Sequence, residues 1–323
     1  SGRANRVRGP LVIQRLYERA YEAQLENGLR ILVEEVPQSR SVTVALWIRA
    51  GSRDDPSERP GLAHLIEHLA FKGTEHRAAV EISREIDNVG GHLNAATGKE
   101  STFYYADVPS VGFSTALDVL SDLVFHPTFH SHHLDLERNV VLEEIRGHLD
   151  DPEQSAYDQF ATDLWQADHP LSRTVLGTQE AIAAVETSDV AAHHARFYRP
   201  SNTVLVACGA VDADTVVEQA GVLLGMPDDG PDSPISDRAM PAFRAGPTHH
   251  ERSTGQTHMY FGLVGPDACD DDRFPLEVVN SVLGDGPSSR LFRSVREDRG
   301  LAYAVASNLT AYSDCGIWLT YAG

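Results

Sequence analysis

The stretch GMPDDGPDSPISDRAMP, residues 225–241, cannot be a helix or a strand of any length. Its four prolines remove backbone donors and lock φ, and the glycines, aspartates and serines between them are turn formers. It divides a chain of 323 residues, a length for which two domains are the expectation. We read residues 1–15 as a tail, 16–225 as an N-terminal domain, 226–241 as the linker and 242–323 as a second domain. The chain closes on GIWLTYAG, partway through an apolar, strand-like run, so the second domain is expected to be incomplete.

On either side of the linker, strand-like and helix-like segments follow in a similar order. GLRILVEEVP (28–37) and SVTVALWIRAGS (41–52) alternate apolar and polar residues, as half-buried strands do. Leu62, Leu65, Ile66 and Leu69 then follow a helical period, and AVEISREIDNVGG reads as a second helix stopped at Gly90 and Gly91. HLNAATGKESTFYYADVP (92–109) gives two strands around Gly98. One long helical region is expected from about Ser114 to Ala167, then a buried strand in NTVLVACGAVD and a helix over Ala213–Leu224. Beyond the linker, HMYFGLVGP and NSVLGDGPSSRLFRSVRED repeat strand, then helix.

The formal net charge of −20 opposes nucleic-acid binding, which needs a concentrated positive surface, and favours basic peptides as partners. No run approaches the 18 apolar residues of a membrane-spanning helix. Cys208, Cys269 and Cys315 are far apart and form no CxxC pair, which points to a reducing compartment and a cytoplasmic location. The arginine-rich, acid-poor start SGRANRVRGPLVIQRL fits the remnant of a transit peptide less well than a tail. A mitochondrial matrix location is the corresponding alternative.

GLAHLIEHLAFKG, residues 61–73, carries the chemistry. His64 and His68, four apart on a helix, lie one above the other and can reach one ion, with Glu67 on nearly the same side. Two imidazoles suit zinc, and a carboxylate beside it can take a proton from water. A helix with two solvated or core histidines is the competing reading of these letters. A catalytic zinc needs a third protein ligand and an open position. The candidates lie in LERNVVLEEIRGHLDDP, where Glu137 and Glu144 are two turns apart on one face. Glu143 is rotated away by about 100°, and His148 could join the face of Glu144, although nothing else requires it.

Taken together, HLIEH and ERNVVLEEI, with Glu144 placed 76 residues after His68, resemble the pitrilysin and processing-peptidase-like family of zinc peptidases, whose signature is HxxEH. The resemblance covers nearly the whole chain. It implies an α+β fold of two structurally similar domains, each a mainly antiparallel sheet packed against helices. It implies one Zn2+ per chain held by His64, His68 and Glu144, with Glu67 as general base and Glu137 as the carboxylate supporting the ligands. GGHLNAATGKESTFYY resembles the family's edge strand for peptide binding, which implicates Asn94 and Ala95. DGPSSRLFRSVREDRGLAY resembles its second-domain segment, in which Arg296 and Tyr303 would contact substrate and stabilise the oxyanion. By residue type alone, Arg296 reads as surface and Tyr303 as core.

The implied activity is endopeptidase cleavage of peptides or unfolded segments, presequence- or signal-type peptides among them, in a chamber between two domains. The implied assembly is a homodimer or a heterodimer with a related subunit. The family also contains non-catalytic partner subunits, which typically lose zinc or base residues; all of these residues are present here. A metal-storage role for FHPTFHSHHL, with His126, His130, His132 and His133, is disfavoured by irregular spacing, and a solvated loop is expected.

Overall fold

The structure, a computed structural model, describes residues 12–165, 169–228, 238 and 241–323. By contacts these residues divide into two units, one of residues 12–140 and 180–228, the other of residues 141–179, 238 and 241–323.

The first unit is built on seven strands: β1 (Gln14–Tyr17), β2 (Ala20–Gln24), β3 (Arg30–Glu35), β4 (Ser41–Ile48), β5 (His92–Thr97), β6 (Thr102–Pro109) and β7 (Thr203–Gly209). They form one sheet in the order β1-β2-β3-β7-β4-β6-β5. Only β3 and β7 pair in parallel; every other neighbour is antiparallel. The alternation read in SVTVALWI buries Val42, Val44, Leu46 and Ile48. Opposite them on β6, Tyr104, Ala106 and Val108 are also buried.

Between β4 and β5 run α1 (Leu62–Ala70) and α2 (Ala79–Asn88), and after β6 comes α3 (Phe113–Phe125). In α1, Leu62, Leu65, Ile66 and Leu69 are buried, each worth about 1.5–3 kcal/mol relative to exposure. That apolar stripe fixes which face of α1 is left for polar groups.

The helical region expected from Ser114 to Ala167 is three helices: α3, α4 (Ser131–Asp150) and α5 (Pro152–Trp165). Pro127, two residues after α3 ends, cannot continue it. At the second break Asp151 caps α5: its Oδ1 accepts from the Glu153 and Gln154 amides at 2.9 and 3.2 Å, with Pro152 in the first helical position. Ala167 lies outside the described residues. The first unit is completed by α6 (Gln179–Ala183), α7 (Thr187–Phe197) and α8 (Ala213–Leu223), and α7 packs on α1. Strands β1 and β2, a strand over residues 305–311 and helices α6 and α7 are additions to the sequence reading, and the helix read over residues 280–298 is interrupted after Leu283. Every residue of β1 is exposed, so its sequence carries no alternation to read.

The second unit contains β8 (Met259–Gly265), α9 (Arg273–Leu283), a short wide-wound helical turn at Phe292–Glu297, β9 (Val305–Ala311) and β10 (Gly316–Ala322). Its antiparallel sheet has the order β8-β10-β9, the same local topology as β4-β6-β5. The α+β reading with two similar sheet-and-helix halves therefore holds. The core of this unit gathers Ala161 and Trp165 of α5 with Leu171, Cys315 and Ile317. Most of the segment expected as linker, and the tail up to residue 11, lie outside the described residues.

Candidate metal centre

Helix α1 begins abruptly. Gly61 takes φ 93°, a left-handed conformation that favours glycine, and offers no side chain to cap the helix. The cap comes from Asp55, which is buried and six residues upstream. Its Oδ2 accepts from the Gly61 amide at 2.8 Å and its Oδ1 from the Ala63 amide at 2.9 Å. Burial outweighs these bonds and raises the Asp55 carboxyl from 3.8 to about 7. Asp55 thus caps the helix across a loop, from outside the position next to its first turn.

One turn into α1, His64 and His68 stand with ring centroids 4.7 Å apart. Burial first, then the neighbouring His68, pushes the His64 imidazole down to about 4, so it is neutral at pH 7 and able to ligate. His68 Nδ1 lies 3.2 Å from Oε2 of Glu137, whose Oε1 takes the Lys72 ammonium at 2.8 Å. With Nδ1 engaged by a carboxylate, Nε2 is the ligand atom left to His68. Glu137 is 6% exposed, and burying a carboxylate is tolerable here because both its oxygens are partnered.

Two turns beyond Glu137 on α4, Glu144 offers a third atom that could ligate a metal. His64, His68 and Glu144 each offer one such atom, and all three lie within 4.8 Å of one another. Zinc takes His nitrogens at about 2.0–2.1 Å and carboxylate oxygens at about 2.0–2.2 Å, so two imidazoles and one carboxylate at this spacing fit it. Glu143, the neighbouring carboxylate, is exposed and pairs with Arg146. His148 is bonded through Nε2 to Asp158 at 2.6 Å.

Glu67, between the two histidines, accepts a hydrogen bond on Oε2 from the Thr97 hydroxyl at the end of β5. Its charge is also felt by the buried hydroxyls of Tyr104 and Tyr198, which stand 3.2 Å apart. Burial above all raises both tyrosines, with Glu67 adding to the effect, so both stay protonated.

Asn94 and Ala95 sit on β5, the terminal strand of the seven-stranded sheet, opposite Tyr105 and Tyr104 of β6. Asn94 Oδ1 accepts from the Ala95 amide at 2.9 Å. In the second unit, the Arg296 guanidinium lies 4.8 Å from the centroid of the Tyr303 ring and 4.7 Å from that of Phe292. Tyr303 is 74% exposed, against the core position its residue type suggests.

Among the described residues, His64, His68 and Glu144 are the one group of three whose ligand atoms converge; the histidines of FHPTFHSHHL form no such group. His132 and His133 are on the first turn of α4 rather than in a loop. His130 and His133, with Lys72 and His76, line a cavity of about 600 Å³.

Lys72, Asp55 and Thr97 are the residues that sequence reasoning missed here. Each acts on a partner distant in the chain, and no local pattern announces it.

Two family descriptions match the chain: Insulinase (Peptidase family M16) over residues 30–179, and Peptidase M16 inactive domain over residues 184–323. His64, Glu67, His68, Asn94, Ala95, Glu137 and Glu144 fall within the first match, Arg296 and Tyr303 within the second. An uncharacterized zinc protease of Mycobacterium leprae is 40% identical over 304 residues, covering 92% of this chain and 67% of the relative. One from Streptomyces coelicolor is 39% identical over 305 residues, covering 93% and 66%. The chain thus spans about two thirds of the length of these relatives. Among solved structures, a protease from Helicobacter pylori superposes with a TM-score of 0.87 at 23% identity, over 94% of this chain and 74% of that one. At that identity the likeness speaks for the fold alone.

Proposed function

The chain belongs to the M16 (insulinase) peptidase family, and from that premise we propose that it is a zinc-dependent endopeptidase acting on peptides or unfolded segments. The observation that carries this reading is the convergence of His64, His68 and Glu144 within 4.8 Å, with Glu67 between the histidines on α1.

In this reading His64, His68 and Glu144 hold the metal, and Glu137 fixes the ring of His68. Zinc, when bound, supplies Lewis acidity that acidifies water and polarises a carbonyl. Glu67 takes the proton of the attacking water and passes it to the departing amine. The substrate lies as an added strand along β5 beside Asn94 and Ala95, so main-chain bonds give affinity with little demand on sequence. Tyr303 donates its hydroxyl to the developing oxyanion, and Arg296, stacked on its ring, supplies the positive charge. The net charge of −20 supports basic peptides as substrates. The free thiols of Cys208, Cys269 and Cys315 support a reducing compartment.

The match of residues 184–323 to an inactive domain favours a second reading, a non-catalytic partner subunit. Against it stands the full set of zinc and base residues in the other half of the chain. Stripping the protein with a chelator, reloading it with zinc and incubating it with a mixed peptide library tests the proposal. Cleavage that appears only on reloading supports the peptidase. A fully loaded, folded protein that cuts nothing supports the partner subunit.

A further inference from the structure

The strand proposed for the peptide and the proposed base lie on different elements, which a loop and a side-chain hydrogen bond join. The loop before α1 docks on the turn between β5 and β6: the Ser52 amide donates to Gly98 O at 3.0 Å and the Arg53 amide to Lys99 O at 2.8 Å. The Arg53 side chain, buried, reaches Glu100 at 2.6 Å. Gly51 makes the approach possible, since a Cβ there would stand 2.4 Å from Gly98 O and 2.7 Å from the Lys99 carbonyl carbon. The same loop then holds α1 through Asp55. The hairpin carrying β5 and the helix carrying His64, Glu67 and His68 are therefore braced by one segment of five residues, 51–55.

Within that frame, the last residue of β5 touches the base. The Thr97 hydroxyl donates to Oε2 of Glu67. A glutamate on a helix surface has three side-chain torsions to lose before it can work as a base. One donated bond holds Oε2 toward the sheet and so limits those torsions.

Building on the peptidase reading, we propose that Thr97 is a positioning residue for Glu67, holding the carboxylate from the strand along which the peptide is laid. It acts through Glu67 and does not itself bind substrate.

Thr97→Val keeps the shape of the side chain and removes the donor; Thr97→Ser keeps the donor. With the zinc-loaded chain and one peptide that the wild type cuts, Thr97→Val is expected to lower kcat by about 10- to 100-fold. KM should stay within about twofold and zinc per chain should not change, while Thr97→Ser should restore most of kcat. Two readouts separate positioning from a structural role. In a Glu67→Gln background, adding Thr97→Val should leave the residual rate unchanged, because the group it orients is already disabled. Binding of a fluorescent peptide to Glu67→Gln should likewise be unaffected by Thr97→Val.

Wild-type kcat in Thr97→Val, an equal loss in Thr97→Ser, a further loss on top of Glu67→Gln, or weakened peptide binding would each overturn the proposal. A wild type that cuts no peptide overturns the peptidase reading instead, so the two failures are told apart. Should Thr97→Val lower the melting temperature, the comparison of Thr97→Ser with Thr97→Ala at a temperature where both are folded decides the same question.

Discussion

His68 and Glu137 meet across two helices, imidazole Nδ1 to carboxylate Oε2 at 3.2 Å, so the candidate metal face of α1 is oriented by a buried side chain of α4. The Lys72 ammonium on the other oxygen holds that carboxylate in place. Glu137→Gln should therefore weaken zinc by about 10- to 100-fold without unfolding the chain. Competition with a graded series of chelators measures this, and an unchanged affinity would remove Glu137 from the account.

Asp55 yields a stability prediction with a defined sign. Its carboxyl rises from 3.8 to about 7 on folding because burial disfavours the charge. The folded state thus keeps a proton that the unfolded state releases between about pH 4 and 7. The resulting stabilisation is fully present below the unfolded value and is lost as pH rises through the folded one. Asp55→Asn cannot titrate, so wild type should lose more stability than this variant between about pH 5 and 8. Urea midpoints at the two pH values decide it, and parallel curves would contradict it. Asp55→Ala, which removes the cap altogether, should cost about 0.5–2 kcal/mol.

Gly51→Ala tests the brace directly. Its φ of −146° suits any residue, so the penalty comes from space alone. A methyl group against the Gly98–Glu100 backbone should cost about 1–3 kcal/mol. A melting temperature equal to wild type would show that the loop and hairpin part easily.

Tyr303→Phe removes one hydroxyl from an exposed ring and should leave folding and zinc content unchanged. If that hydroxyl serves the oxyanion, kcat falls by about 100- to 1,000-fold while KM moves little. Steady-state kinetics on a single peptide resolve the two constants. A wild-type kcat would leave Tyr303 outside the chemistry.

What could be read from the residues beforehand follows the range of the interactions. The helix of His64 and His68, the strands over 30–35 and 41–48, and the shared face of Glu137 and Glu144 depend on period, and period is local. The third ligand needs more than period: period leaves Glu137, Glu144 and His148 open, and the family resemblance singles out Glu144. Glu144 and the two histidines converge within 4.8 Å, and His148 turns to Asp158. The breaks at Pro127 and Asp151 were passed over because apolar residues continue on both sides of each. Thr97, Lys72 and Asp55 were invisible because each finds its partner through tertiary packing. Residue type alone reads Tyr303 as core, and its exposure of 74% shows how little type decides for a tyrosine.

The central claim is that Glu67 performs proton transfer at a zinc site it does not itself ligate. Zinc content and peptide cleavage, measured side by side for wild type and Glu67→Gln, test it most directly. The account predicts one zinc per chain in both proteins, with cleavage in the wild type and a loss of about 100-fold or more in the variant. Cleavage by Glu67→Gln at the wild-type rate, or loss of zinc along with activity, would contradict it.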